Sequence, residues 1–213
     1  MSKTRILIVD DHAILRMGLA SLLNAKRDFE VVGDAANGKS GIRKALKLKP
    51  DVVIMDLQMP AMDGVETTKL LLAQDPEAKV LVLTTFAISD GIASALDAGA
   101  KGAVLKNCDF DDLAAAIRAV SAGQRYVSPE IARLFSADPP IAPLSPRQAE
   151  ILAAFVRGLT NPEIASFLGV SLDMVKEHST ALFQKLGVSN RTEAVAIALK
   201  KHLLPAAESS PKN

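Results

Sequence analysis

The chain has 213 residues, of which 49% are hydrophobic and 23% charged, with a net charge of +1. Such a composition excludes a chain disordered throughout and leaves room for two modest hydrophobic cores. A single cysteine, Cys108, excludes an internal disulfide and a cysteine-based metal site. No apolar stretch approaches the roughly 20 residues that cross a bilayer, and Met1 to Thr4 leads into a strand with no signal-peptide core, so no membrane association and a cytoplasmic location are expected.

In chain order, Ile6-Leu7-Ile8-Val9 is a short, continuously apolar run, the pattern of a strand buried on both faces. Ala13 to Leu23 repeats apolar residues at helical spacing, Glu30 to Val32 reads as a second strand and Ser40 to Leu48 as a helix. Val52 to Met55 is the third strand, Val65 to Leu72 a helix, Val80 to Leu83 the fourth strand and Gly91 to Leu96 a helix. Ala103 to Leu105 is the fifth strand and Asp109 to Ala122 a closing helix. Five β-α units in series predict a doubly wound, parallel five-stranded α/β sheet of flavodoxin-like type over residues 1–122. Gly123 then signals a helix end, and Pro129, Pro139, Pro140 and Pro143 mark a linker over 123–143, in which Ser128-Pro129 starts one short helix. Only helical patterns follow, over 144–204, and 205–213 reads as a polar, flexible tail.

Each apolar run stops at a residue with chemistry: Asp10 and Asp11, Asp56, Thr84 and Lys106. In an open α/β sheet the ligand crevice lies outside the carboxyl ends of the strands, so these sequence-distant residues are expected to converge. Three close carboxylates stay ionised together only beside a cation, and oxygen ligands of this kind suit Mg²⁺. A carboxylate facing a metal, with a lysine and a hydroxyl nearby, is arranged to accept a phosphoryl group. Asp56, ending the central strand, is the expected acceptor, and the Asp10–Asp11 pair the expected metal grip.

These residues resemble a known family. Asp10-Asp11, Asp56-Leu57-Gln58-Met59-Pro60 with Met62-Asp63-Gly64, Thr84, and Gly99-Ala100-Lys101-Gly102 leading to Lys106 are similar to the receiver domain of two-component response regulators. The resemblance implies that Asp56 takes phosphate from a phosphohistidine on a partner kinase. It further implies that Asp10, Asp11, Asp56 and the Gln58 carbonyl hold Mg²⁺, that Thr84 is the switch hydroxyl, and that Lys106 pairs with phosphoryl oxygens. One position departs from the family: an aromatic residue usually lies three before the lysine, and here that position is Ala103.

In the second half, Ser145-Pro146-Arg147-Gln148 and Thr160-Asn161-Pro162-Glu163 fit the capping box that starts a helix. Gly169-Val170-Ser171 forms a tight turn with Ser171 as N-cap, and a helix from Leu172 to Leu186 follows, which is a helix-turn-helix pattern. Val175, Ser179, Leu182 and Leu186 share its inner face, leaving Asp173, Lys176, Glu177, Thr180 and Gln184 outside, facing a DNA major groove. Seven basic against five acidic residues over 144–204 add a weak electrostatic bias toward nucleic acid. The motifs Leu144-Ser145-Pro146-Arg147, Gly158 to Ala165, Leu168 to Ser171, Val175-Lys176 with His178, and Lys185 through Ala194 resemble the LuxR-type DNA-binding domain. With the receiver, the whole chain resembles the NarL/FixJ family of response regulators. The resemblance implies phosphate contact by Asn161, base contacts by Lys176, Glu177 and Thr180, and a backbone-rim place for His178. It also implies dimerisation on activation, with Ala194, Ile197 and Leu199 of the last helix in the contact. Met174 stands where the family commonly has Thr, and Glu177 where it often has an apolar residue; a carboxylate there is repelled by phosphates unless it accepts from a cytosine amino group.

The expectation is therefore a non-enzymatic, DNA-binding transcriptional regulator, switched by a histidine kinase through Asp56, acting on promoter DNA as a homodimer. The alternative is a phosphorylation-independent regulator of the same architecture, which Ala103 keeps open. A phosphatase working through an aspartyl-phosphate is disfavoured because position 58, where such chemistry wants a second carboxylate, is Gln.

Overall fold

The computed structural model describes residues 3–85, 89–201 and 203, and the expected tail at 205–213 lies outside them. The chain divides into two compact units, Met1–Pro139 and Pro140–Asn213.

The first unit alternates strand and helix: β1 (Thr4–Val9), α1 (Ala13–Asn24), β2 (Phe29–Ala35), α2 (Gly38–Leu48), β3 (Val52–Met55), α3 (Gly64–Gln74), β4 (Val80–Thr84), α4 (Ser89–Asp97), β5 (Gly102–Leu105), α5 (Phe110–Ser121), β6 (Tyr126–Val127) and α6 (Pro129–Ala137). The sheet runs β2-β1-β3-β4-β5-β6, and every neighbouring pair is parallel. Because side chains alternate across a strand, each continuous apolar run feeds two cores. Leu7, Val9, Val53, Met55, Val80 and Val82 pack with Ile42 of α2, Leu71 of α3 and Ile92 of α4. Ile6, Ile8, Val52, Ile54, Leu81 and Leu83 pack with Leu19 and Leu23 of α1 and with Ile117 and Val120 of α5 on the other face. Strand order reverses beside β1, where β2 lies on one side and β3 on the other. The carboxyl ends of β1 and β3 are therefore where a crevice is expected.

The sheet has six strands where five were expected. Tyr126–Val127 pairs with Gly102–Ala103, and the Ser128 amide donates to the Ala103 carbonyl at 3.1 Å. α6 begins at the Ser128 cap and lays Ile131 into the core that holds Ala103. Much of the segment read as a linker thus belongs to the sheet unit. At the far end of α6, the Ser89 hydroxyl of α4 donates to Asp138 at 3.1 Å, one residue before the division between the units.

The second unit contains α7 (Pro146–Val156), α8 (Asn161–Leu168), α9 (Leu172–Leu186) and α10 (Arg191–Lys200). The helix starts follow the capping chemistry. Gln148 accepts from the Ser145 amide at 2.9 Å while its own amide donates to the Ser145 hydroxyl at 3.3 Å. Glu163 accepts from both the amide and the hydroxyl of Thr160 at 2.7 Å. Gly169 takes the left-handed conformation, φ 64°, that the turn between α8 and α9 demands. The core gathers Ile151, Leu152 and Phe155 of α7, Ile164 of α8, Val175, Leu182 and Leu186 of α9, and Ala194 and Ala198 of α10. Arg191 fastens α10 to α7, donating to the Phe155 carbonyl at 2.9 Å with its guanidinium 4.6 Å from the Phe155 ring centre.

Candidate functional site

Asp10 leaves β1, Asp56 leaves β3, Thr84 ends β4 and Lys106 leaves β5, and all four are buried or nearly so. The Lys106 ammonium sits 2.6 Å from Asp10 Oδ2 and 2.8 Å from Asp56 Oδ2, bridging two carboxylates from different strands. Its backbone amide donates to the Thr84 carbonyl at 2.8 Å, which fixes the start of the β5–α5 loop against β4.

Burial pushes the Asp56 carboxyl above the usual aspartate range. Lys106 works against this and Asp10 adds to it, while the backbone amide of Gln58 lowers it. Burial on its own would bring Lys106 down, but its hydrogen bonds to Asp10 and Asp56 outweigh this and hold it above the ordinary lysine value. The loop after Asp56 is tightly drawn. A Cβ on Gly64 would meet the Asp56 carbonyl oxygen at 2.1 Å, and Ala61 takes a positive φ of 68°.

Ligand atoms of Asp10, Asp11, His12 and Asp56 lie within 4.8 Å of one another. His12 was not anticipated as part of this group, although its place next to Asp10-Asp11 was the available signal. Its Nδ1 is 2.8 Å from Asp11 Oδ1 and 3.2 Å from Asp10 Oδ1, and its amide donates to Asp10 Oδ1 at 2.8 Å. Asp56 Oδ1 is buried with no hydrogen bond among the described residues, and so is Asp11 Oδ1, although His12 Nδ1 stands 2.8 Å from it. Gln58 is exposed on the loop above Asp56.

The second candidate surface is the outer face of α9. Val175, Ser179, Leu182 and Leu186 are buried, as their spacing predicts, while Asp173, Lys176, Glu177, Thr180 and Gln184 are exposed. Lys176 Nζ reaches back to Asp173 Oδ1 at 3.3 Å. The Thr180 hydroxyl donates to the Lys176 carbonyl at 3.0 Å, and His178 is half-buried. Asn161 opens α8, half-buried, directly after the Thr160 cap. Of the three residues assigned to a dimer contact on α10, Ala194 is fully buried in the unit's own core and Ile197 packs against it. Only Leu199 presents a large apolar side chain outward, because helical spacing turns the first two toward α7 and α9.

Comparison with known proteins assigns each unit to a family. Residues 6–118 match the response regulator receiver domain, and residues 142–198 match the luxR family of bacterial regulatory proteins. The chain is 39% identical over 208 residues to the transcriptional regulatory protein LiaR of Bacillus subtilis, covering 94% of this chain and 99% of that protein. It is also 39% identical over 205 residues to the response regulator protein VraR of Staphylococcus aureus, covering 94% and 98%. Among solved structures, the response regulator ChrA of a heme-sensing two-component system aligns over 96% of this chain and 100% of its own, with 36% identity and a TM-score of 0.57. RcsB of Salmonella enterica serovar Typhimurium, bound to promoter P1flhDC in the presence of the phosphomimetic BeF3−, aligns over 92% and 97% with 29% identity and a TM-score of 0.68. A receiver sheet with its acidic crevice, joined to a LuxR-type helix-turn-helix module, places this chain in the NarL/LuxR family of two-component response regulators: it is a DNA-binding transcription regulator.

Proposed function

We propose that Asp56 is the phosphoacceptor through which a partner histidine kinase controls DNA binding by α9. The observation that carries this is the buried Asp56 Oδ1 at the end of the central strand, without a hydrogen bond among the described residues and beside a lysine that already grips the other oxygen. In the transfer, an Asp56 oxygen attacks phosphorus, the phosphorus–nitrogen bond of the donor phosphohistidine breaks, and the leaving imidazole keeps the electron pair and takes up a proton. Lys106 and the Thr84 hydroxyl then face the transferred oxygens, where fixed positive charge and a donor are worth most.

The oxygen set fits a divalent cation, since two of its buried atoms have no hydrogen bond among the described residues and three carboxylates outnumber one ammonium. Asp10, Asp11, Asp56 and the Gln58 carbonyl would hold Mg²⁺. When bound, it neutralises the charge that accumulates on the phosphoryl oxygens.

On the output side, Lys176, Glu177 and Thr180 face bases, while Asn161 and His178 contact the backbone of promoter DNA, bound as a homodimer at a two-fold site. Acetyl phosphate with Mg²⁺ should label the protein, and mapping should place the label on Asp56; label retained in Asp56→Asn would remove the assignment. A phosphorylation-independent mode is the second reading, and the observation favouring it is Ala103, fully buried under β6 and α6 where the family has a mobile aromatic. Equal promoter affinity with and without phosphate would select that reading.

A further inference from the structure

The exposed side of α9 is not a basic surface at its centre. With about 100° of turn per residue, the line opposite buried Val175, Ser179, Leu182 and Leu186 runs through Asp173, Glu177 and Gln184. Lys176 lies toward one flank, and its ammonium is drawn back to Asp173. Glu177 is exposed and forms no ion pair or side-chain hydrogen bond among the described residues. A carboxylate only accepts hydrogen bonds. In the major groove it is repelled by the phosphates and by guanine O6, guanine N7 and thymine O4, and it is satisfied by an exposed amino group, above all cytosine N4.

We infer that Glu177 is the principal base-discriminating residue of this regulator, selecting a cytosine in each half-site by accepting from its N4 amino group. The inference rests on the reading of α9 as the groove-facing helix. Its force comes from rejection as much as attraction, because a wrong base leaves a desolvated carboxylate facing another acceptor. The residue lowers affinity for DNA in general and recovers the loss only at its chosen base. The same group therefore restrains non-specific binding, in a module whose basic excess is small.

The test is binding-site selection from a random-sequence duplex library, with the full-length protein treated with acetyl phosphate and Mg²⁺, at one fixed salt concentration, for wild type, Glu177→Ala and Glu177→Gln. Wild type should enrich a two-fold site with one strongly preferred C·G pair per half. Glu177→Ala should lose that preference by about tenfold or more at that pair alone, while binding random duplexes more tightly. Glu177→Gln, which has an amide that also donates, should relax the choice toward adenine. Helix content measured by circular dichroism checks that the exposed substitutions leave the fold intact. An enriched site that is unaltered, base for base, in both variants overturns the inference while leaving α9 as the reading helix. A wild-type protein that enriches no site removes the base-reading role of α9, and this inference with it.

Discussion

Lys106 Nζ lies 2.6 Å from Asp10 and 2.8 Å from Asp56, so one buried ammonium holds together carboxylates delivered by β1 and β3. Removing the lysine from this buried group leaves its carboxylates without their counter-charge. Lys106→Met should therefore destabilise the metal-free protein by about 3 kcal/mol, and Mg²⁺ should restore part of the loss. Urea unfolding with and without Mg²⁺ measures both, and an unchanged midpoint would contradict the arrangement.

The same pair sets a pH dependence. Lys106 is held above its ordinary value in the folded protein, so its stabilising contribution is complete below the usual lysine value, about 10.4. That contribution is lost as pH rises through the higher folded value. Wild-type stability should fall on this alkaline limb more steeply than that of Lys106→Met. Asp56 behaves in the opposite sense: burial raises it, so without Mg²⁺ its charge costs stability as pH rises past the ordinary aspartate range. Asp56→Asn should consequently melt higher than wild type at neutral pH in chelator, while taking up no phosphate.

Ile131 is buried with no exposed surface, in the core that holds Ala103. Ile131→Ala should cost about 2–5 kcal/mol, and a receiver fragment ending at residue 122 should be much less stable than one ending at 139. Thermal melts of the two fragments decide whether β6 and α6 are part of the folding unit.

On the DNA side, Lys176→Ala should lose about 1–3 kcal/mol on cognate DNA and less on random DNA. Asn161→Ala should weaken both about equally. Anisotropy titrations at one salt concentration separate the two, and equal losses for both variants would take Lys176 out of base reading.

Pro140–Asn213 is a compact unit with its own core, so a fragment from Ile141 to Asn213 should fold alone and bind cognate DNA without phosphate. The unphosphorylated full-length protein should bind more weakly than either the fragment or the phosphorylated chain. Equal affinity of all three forms would point to the phosphate-independent mode.

The inner strands β1, β3, β4 and β5 were legible because a strand buried on both faces has to be apolar throughout, and Ile6 to Val9 and Val52 to Met55 are. The inner face of α9 was legible for a related reason, since Val175, Ser179, Leu182 and Leu186 recur at helical spacing. β6 left no such trace: two half-exposed residues carry no period, and their place in the sheet comes from hydrogen bonds to β5. The Ser128-Pro129 start of α6 was visible, but its docking onto the sheet depends on Ile131 entering the core that also holds Ala103, a tertiary relationship that prolines in the same stretch disguised as a linker. β2 runs to Ala35, beyond the expected Glu30 to Val32, because Gly33 and Asp34 pair with Leu7 and Ile8 of β1. The Asp10, Asp11, Asp56, Thr84 and Lys106 set was recognisable from its strand-end positions. His12, at the N-cap of α1, was not singled out, since only the folded loop brings its ring to within 3.2 Å of both Asp10 and Asp11.

The bond from Ser89 to Asp138 bears on how modules of this kind can be exchanged. Because α4 holds the last turn of α6, the receiver carries its own exit post, and a chimera spliced after Ala122 would discard a strand, a helix and that anchor together. A splice placed after Asp138 would hand the new output module a chain whose departure point is already pinned. Built in the two ways from the same parts, such chimeras should differ in whether the receiver half folds at all, before any question of signalling arises.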